Sequence, residues 1–205
     1  VIMERLICVL VGYVFGLIQT GYIYGKKNGV DLRKKGSGNA GTTNALRTMG
    51  WKAGAVTLLG DCFKCVAAVV VVHLIYGKTH TDMMPLLSMY AGMGAVLGHN
   101  YPFYLKFKGG KGIAATAGLI ISTTNIWIVL ICLAAFIAIV AATRYVSLGS
   151  MTVVTIYLIS VIVYGQHGGF GVENVSYLHE MYGVAAFLMI LAFWRHRANI
   201  KRLLS

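Results

Sequence analysis

Two short glycine-rich stretches have the residue types for chemistry on an anion. The first is Gly36-Ser37-Gly38-Asn39-Ala40-Gly41-Thr42-Thr43-Asn44, with Arg47 one turn further on and the basic run Arg33-Lys34-Lys35 just before it. Glycine permits positive φ and lets a backbone approach a ligand closely. Ser37, Asn39, Thr43 and Asn44 add neutral hydrogen-bonding groups, and successive N–H groups around Gly38 can form an anion-binding concavity. The second stretch is Lys106-Phe107-Lys108-Gly109-Gly110-Lys111-Gly112. A helix starting after Gly112 offers free N–H groups and its positive dipole end to a phosphate. Arg47 and Lys111 supply charge, Arg47 with the better bidentate fork. Either stretch alone also fits a flexible linker. Two of them in one small chain point to phosphate handling.

This is not an ATP loop. The Walker A pattern needs a glycine where Leu105 sits and Ser or Thr where Gly112 sits. No metal site is read either. Cys62-x-x-Cys65 lies in an apolar run with no second pair or nearby histidine, so Cys8, Cys62, Cys65 and Cys132 read as buried free thiols.

The elements that must carry these loops are apolar. The 205 residues are 58% hydrophobic, and eighteen Lys and Arg against six Asp and Glu give a net charge of +12. The bases lie between long apolar runs. That pattern reads as loops facing an anionic membrane leaflet and anionic substrates, not nucleic acid. The chain is expected to be one all-α integral membrane domain over residues 1–205, without cofactor. Spans are expected at Ile2–Tyr24, Lys52–Tyr76, Pro85–Leu105, Gly149–Gly165 and Glu180–Trp194, near the twenty residues that cross hydrocarbon. No small-x-small site follows Leu6–Ile18, so a cleaved leader is not expected.

Ile113–Thr143 is about 46 Å as a single helix, too long for a hydrocarbon core of about 30 Å. Ser122-Thr123-Thr124-Asn125 offers a turn in its middle. Two crossings, the first short, put every basic cluster on one side; a single crossing would not. Seven transmembrane helices follow, with the N-terminus outside and the C-terminus cytoplasmic. Gly12-x-x-x-Gly16 and Gly94-x-x-x-Gly98 are expected to be packing faces. Asp61 and Lys64, three apart, share a helical face as an ion pair or as part of a site. The broken fourth segment also suits a transporter. Basic loops alone would serve a lipid-binding scaffold.

Six short patterns then occur in order. They are Val30-Asp31-Leu32-Arg33, Gly36 to Asn44, Gly98-His99-Asn100-Tyr101-Pro102, Phe107 to Gly112, Arg144-Tyr145-Val146-Ser147 and Arg195-His196-Arg197-Ala198-Asn199-Ile200. In order and spacing they resemble the bacterial acyl-phosphate-dependent glycerol-3-phosphate acyltransferases of the PlsY type, from about Asp31 to Leu204. The resemblance implies a multi-pass enzyme of the bacterial inner membrane with a cytoplasmic active site. It would transfer a fatty acyl group from acyl phosphate to the 1-hydroxyl of glycerol 3-phosphate, giving lysophosphatidic acid and inorganic phosphate. The expected partners are those substrates, membrane lipid and a peripheral phosphate acyltransferase that supplies acyl phosphate.

By that resemblance Ser37, Arg47, Lys111 and His196 are the catalytic residues. Gly38, Asn39, Thr43, Asn44, Gly109, Gly110, Gly112, Ser147 and Asn199 bind substrate. Other glycerophosphate acyltransferases carry His-x-x-x-x-Asp, absent here because Tyr104 stands five residues after His99. Family members commonly carry a Gly-x-Glu further on, and no residue of this chain is assigned its role. The proton acceptor stays open among His196, His99 and the substrate's own phosphate.

Overall fold

The computed structural model describes residues 2–205 and contains, among them, ten α-helices and three short 3-10 turns. The helices are α1 Ile2–Gly16, α2 Thr20–Lys27, α3 Thr42–Met49, α4 Trp51–Tyr76, α5 Met84–Asn100, α6 Ile113–Thr123, α7 Ile126–Thr143, α8 Val146–Gln166, α9 Val175–Arg195 and α10 Arg197–Leu204. Five segments are long and apolar enough to cross a membrane: Ile2–Lys27, α4, α7, α8 and α9. The other two expected spans are helical but shorter, with 17 residues in α5 and 11 in α6. Trp127 and Ile126 on α7 are 71% and 62% exposed, as expected of an apolar helix whose outer face meets lipid.

The expected break in the long apolar stretch occurs. α6 ends at Thr123, and Asn125 caps α7 by accepting a hydrogen bond from the Ile128 N–H at 3.1 Å. Several expected boundaries move; the span expected from Gly149 already begins at Val146. The first span is not continuous but breaks at Leu17–Gln19, and side chains from elsewhere take up the freed carbonyls. Tyr104 donates to Leu17 O at 2.7 Å, and Lys64 donates to Ile18 O at 2.6 Å. The third helix ends at Asn100, not Leu105, because Tyr101 precedes a proline and turns out of helical geometry. The last long helix starts earlier than Glu180, at Val175, where Asn174 caps the Ser176 N–H at 2.9 Å.

The two small-residue faces pack on each other. A Cβ on Gly16 would stand 2.9 Å from the Gly98 Cα, and one on Gly12 would stand 2.8 Å from the Ala95 nitrogen. Gly94 and Gly98 press in turn on the backbone of Val9 and Tyr13, so α1 and α5 run parallel at backbone contact. The hairpins α4–α5, α6–α7 and α8–α9 then return the chain to the same level. Lys26–Trp51, Tyr101–Gly112, Arg144–Tyr145 and the chain from Arg195 onward therefore share one end of the bundle, as the charge argument requires. His80, Gln166 and Glu180 lie at the other. All four cysteines are free and buried.

Candidate active site

The glycine-lysine loop is built by folding back onto the C-terminal end of α5. Lys106 and Phe107 take left-handed φ of 55° and 59° to turn the chain. The Gly109 N–H then donates to Asn100 O, and the Gly110 N–H to His99 O, each at 3.1 Å. Glycine is required here for contact with α5. A Cβ on Gly109 would lie 2.7 Å from Pro102 Cδ, and one on Gly110 would run into the His99 ring. Gly112, at φ +83°, ends the loop beside Asn100, and α6 begins.

This changes how the loop can hold an anion. The N–H groups of Gly109 and Gly110 are occupied by α5 carbonyls, so those two residues shape the loop and do not wrap a ligand with N–H groups. Among the described residues no backbone carbonyl takes the N–H of Lys111, Gly112, Ile113 or Ala114. These donors, at the positive end of α6, are left open, the arrangement that suits an anion.

Residues from α9 and α10 complete the cluster. Lys111 Nζ donates to Asn199 Oδ1. Arg195 Nη2 donates to Gly109 O at 3.0 Å and Gly110 O at 2.7 Å, while its guanidinium stacks 5.0 Å from the Tyr101 ring centre. Burial, then the neighbouring Arg202 and Arg195, lower the Lys111 pKa to about 8. His196 is buried, and its Nδ1 donates to Ala192 O at 2.7 Å, which leaves Nε2 as an acceptor. Burial, aided by Lys111 and Arg195, lowers its pKa to about 4 despite the Ala192 bond, so it is neutral at physiological pH.

The Ser37–Arg47 segment is ordered and is no linker. Asn44 is its organiser. Its Oδ1 accepts from the Ser37 N–H at 3.0 Å; its Nδ2 donates to Leu32 O, Lys35 O and Asn39 O at 3.1, 3.0 and 2.8 Å. The whole amide is thus engaged inside the loop, a scaffolding use in place of the expected substrate contact. Asn39 Oδ1 accepts from the Gly41 N–H at 3.1 Å. Gly36 and Gly38 take positive φ of 57° and 72°. Leu32, Ala45 and Ala53 pack beneath the loop with Tyr24 and Met49. Ser37, Gly38, Thr43 and Arg47 are left exposed at the rim, and Arg47 makes no ion pair among the described residues.

The structure therefore bonds Lys111 to Asn199 and brings His196 close enough for the Lys111 charge to act on it. It brings the Ser37–Arg47 rim to the same end through α2, α3 and the start of α4, without a direct bond to Lys111. Ser147 sits in the first turn of α8 at that end, partly buried. Its neighbour Leu148 shares an apolar groove of about 230 Å³ with Met151, Thr152, Thr155, Ile156 and Phe193. Sequence reasoning assigned no role to Arg195. Its place beside His196 in a quoted motif was the available signal, but which carbonyls it holds depends on where α9 ends.

The family model for glycerol-3-phosphate acyltransferase matches residues 6–205. The chain belongs to that family. A glycerol-3-phosphate acyltransferase of Clostridioides difficile is 42% identical, the match covering 100% of this chain and 94% of the relative. That of Bacillus subtilis is 37% identical over 96% of this chain and 92% of the relative. Among solved structures, PlsY, an integral membrane glycerol 3-phosphate acyltransferase, is similar in its glycerol 3-phosphate form at TM-score 0.82 and 32% identity, over 98% of this chain and 92% of that one. Its lysophosphatidic acid form matches at TM-score 0.80 and 30% identity, over 98% and 91%. The glycerol-3-phosphate acyltransferase fold thus spans the described chain, as an integral membrane bundle.

Proposed function

We propose that this chain transfers a fatty acyl group from acyl phosphate to the 1-hydroxyl of glycerol 3-phosphate. The products are lysophosphatidic acid and inorganic phosphate, and the basic end lies on the cytoplasmic face of a bacterial inner membrane. The observation that carries this reading is the start of α6, where unused N–H groups, the Lys111 ammonium and the helix dipole converge. That arrangement suits a phosphate leaving group. The apolar groove between Leu148 and Phe193 suits the acyl chain.

Acyl phosphate is an activated mixed anhydride, so positioning and charge stabilisation can supply most of the rate. The hydroxyl oxygen attacks the acyl carbon, the bond from that carbon to the phosphate oxygen breaks, and phosphate leaves with the electron pair. Lys111 and the α6 N–H groups stabilise the departing charge, and Asn199 holds the Lys111 ammonium in place. Arg47 clamps the phosphate of glycerol 3-phosphate, assisted by Ser37, Gly38, Asn39, Thr43 and Ser147.

The hydroxyl proton needs an acceptor. His196, lowered to about 4, is a weak one. His99 Nδ1 is taken by Lys64 at 2.8 Å. The phosphate of glycerol 3-phosphate, with a second pKa of about 6 by analogy with phosphorylated side chains, is the better acceptor. His196 Nε2 then orients the attacking hydroxyl. The donor itself comes from a soluble phosphate acyltransferase acting at the membrane surface.

The test is purified protein with palmitoyl phosphate and glycerol 3-phosphate. Lysophosphatidic acid and inorganic phosphate should appear in equal amounts. No lysophosphatidic acid in any detergent or lipid overturns the reading. For orientation, cysteines introduced at Ser37, Lys108, Ser147 and Ala198 should label only from the cytoplasmic side, and one at Gly168 only from outside. A transporter is not favoured, because Arg5, Glu180 and Tyr90 tie α1, α9 and α5 together at the far end.

A further inference from the structure

The buried ionic cluster of α4 and α5 has no part in the chemistry above, yet it touches the loop that does. Lys64 Nζ has three hydrogens and three acceptors: Ile18 O at 2.6 Å, Asp61 Oδ1 at 2.9 Å and His99 Nδ1 at 2.8 Å. Asp61, Lys64 and His99 are at most 5% exposed. An ammonium only donates, so Nδ1 of His99 accepts and its proton sits on Nε2, the atom that faces Gly110. The main chain of His99 is held as well. Its carbonyl accepts from the Gly110 N–H at 3.1 Å and from Gln19 Nε2 at 3.0 Å.

We infer that Asp61, Lys64 and His99 are positioning residues that fix the Gly109–Gly110 turn, and through it Lys111 and the start of α6, against the break between α1 and α2. Charge burial of this kind is costly unless every partner is matched. Asp61 Oδ2 has no partner among the described residues, so the cluster is retained at a cost, but Lys64 is matched on every hydrogen. The ring of His99 is thereby locked in one orientation, and the backbone of Gly110 rests on it from one side while Arg195 holds its carbonyl at 2.7 Å from the other. Gly110 is glycine because a histidine ring occupies the space where its side chain would be.

The inference rests on the acyl phosphate reading of the Lys111 loop, and the experiment keeps the two apart. Displacement of a positioned group by about 1 Å can cost on the order of a hundredfold. Lys64→Met and His99→Leu should therefore raise KM for palmitoyl phosphate by about tenfold or more, with KM for glycerol 3-phosphate unchanged. His99→Asn, which keeps an acceptor near the Nδ1 position, should recover most of the loss. The double variant Asp61→Asn/Lys64→Met removes both charges and should regain thermal stability in detergent without regaining the palmitoyl phosphate KM.

Gly110→Ala should fail in the wild-type background and improve in His99→Ala, where the ring is gone. A merely structural cluster predicts lower melting temperature and less active protein, with both KM values unmoved; that result overturns the inference. So does Gly110→Ala that His99→Ala cannot rescue. If Lys111→Met itself leaves palmitoyl phosphate use intact, the loop reading fails, and the inference fails with it.

Discussion

The two ends of this bundle treat charge in opposite ways. At the far end the buried-side arginine is matched. Arg5 Nε and Nη2 meet Glu180 Oε1 and Oε2 at 2.5 and 2.7 Å, Tyr90 donates to the same carboxylate, and His80 lies 3.5 Å from Glu4. At the basic end Arg33 pairs with Asp31 at 3.0 Å, and Lys64 with Asp61 is buried beneath the glycine loop. Arg47, Lys111 and Arg195 face no carboxylate there. Matched charges at a membrane boundary hold helices together. Cations left without carboxylates, two of them anchored by carbonyl and amide oxygens, keep their charge available in a fixed place. Geometry is enforced at both ends, but most of the cations without a carboxylate lie at the basic one.

The largest expected effect tests whether the Lys111 charge acts on the leaving phosphate. Lys111→Met should slow turnover by about a hundredfold or more, the range for losing an oxyanion donor, while the protein stays folded. Turnover within a few-fold of wild type would mean this end only binds membrane lipid. Steady-state kinetics against each substrate, on variants of normal thermal stability, decide it.

Arg47→Lys is the next step down. It keeps the charge and loses the bidentate fork, so KM for glycerol 3-phosphate should rise by about tenfold, the scale of one lost charge-assisted hydrogen bond. KM for palmitoyl phosphate should not change. Wild-type affinity for glycerol 3-phosphate in this variant removes Arg47 from the site.

A smaller effect follows from titration. The Lys111 pKa of about 8 means the ammonium is lost as pH rises through that value in the free enzyme. On the proposed reading, its charged form is the one that binds phosphate. The kcat/KM for palmitoyl phosphate should therefore decline above about pH 8. Lys111→Arg, which stays charged, should flatten that alkaline limb even with a lower plateau. His196 is already neutral over this range, so it adds no slope there. An unchanged alkaline limb in Lys111→Arg would assign the titration elsewhere.

The smallest effect on catalysis belongs to the far end. Arg5→Ala removes one side of the pair with Glu180 and should cost about 1.5–3 kcal/mol of stability, the range for hydrogen bonds to charged groups. Both KM values should stay at wild type. A shift in either would couple the two ends and undo the contrast between them.

The order of amino acids determined the membrane class, the positions of the apolar segments and the break near Asn125, because hydropathy, length and capping act locally along the chain. Its charge pattern also determined that the basic clusters would share an end. The two small-residue faces were legible as surfaces, but that Gly12 and Gly16 would meet Gly94 and Gly98 was not, since any smooth face can accept any other. Only tertiary structure decided three further things. It broke the first span at Leu17–Gln19, where Lys64 and Tyr104 arrive from elsewhere to satisfy the carbonyls that a continuous helix would have satisfied itself. It engaged Asn44 as a scaffold, because its amide finds three carbonyls within its own loop. It left open the N–H groups of Lys111 and the first turn of α6, not those of Gly109 and Gly110, because the carbonyls of His99 and Asn100 reach the two glycines first. A residue's type states what bonds it can make; which bonds remain for a ligand depends on the neighbours that the fold supplies.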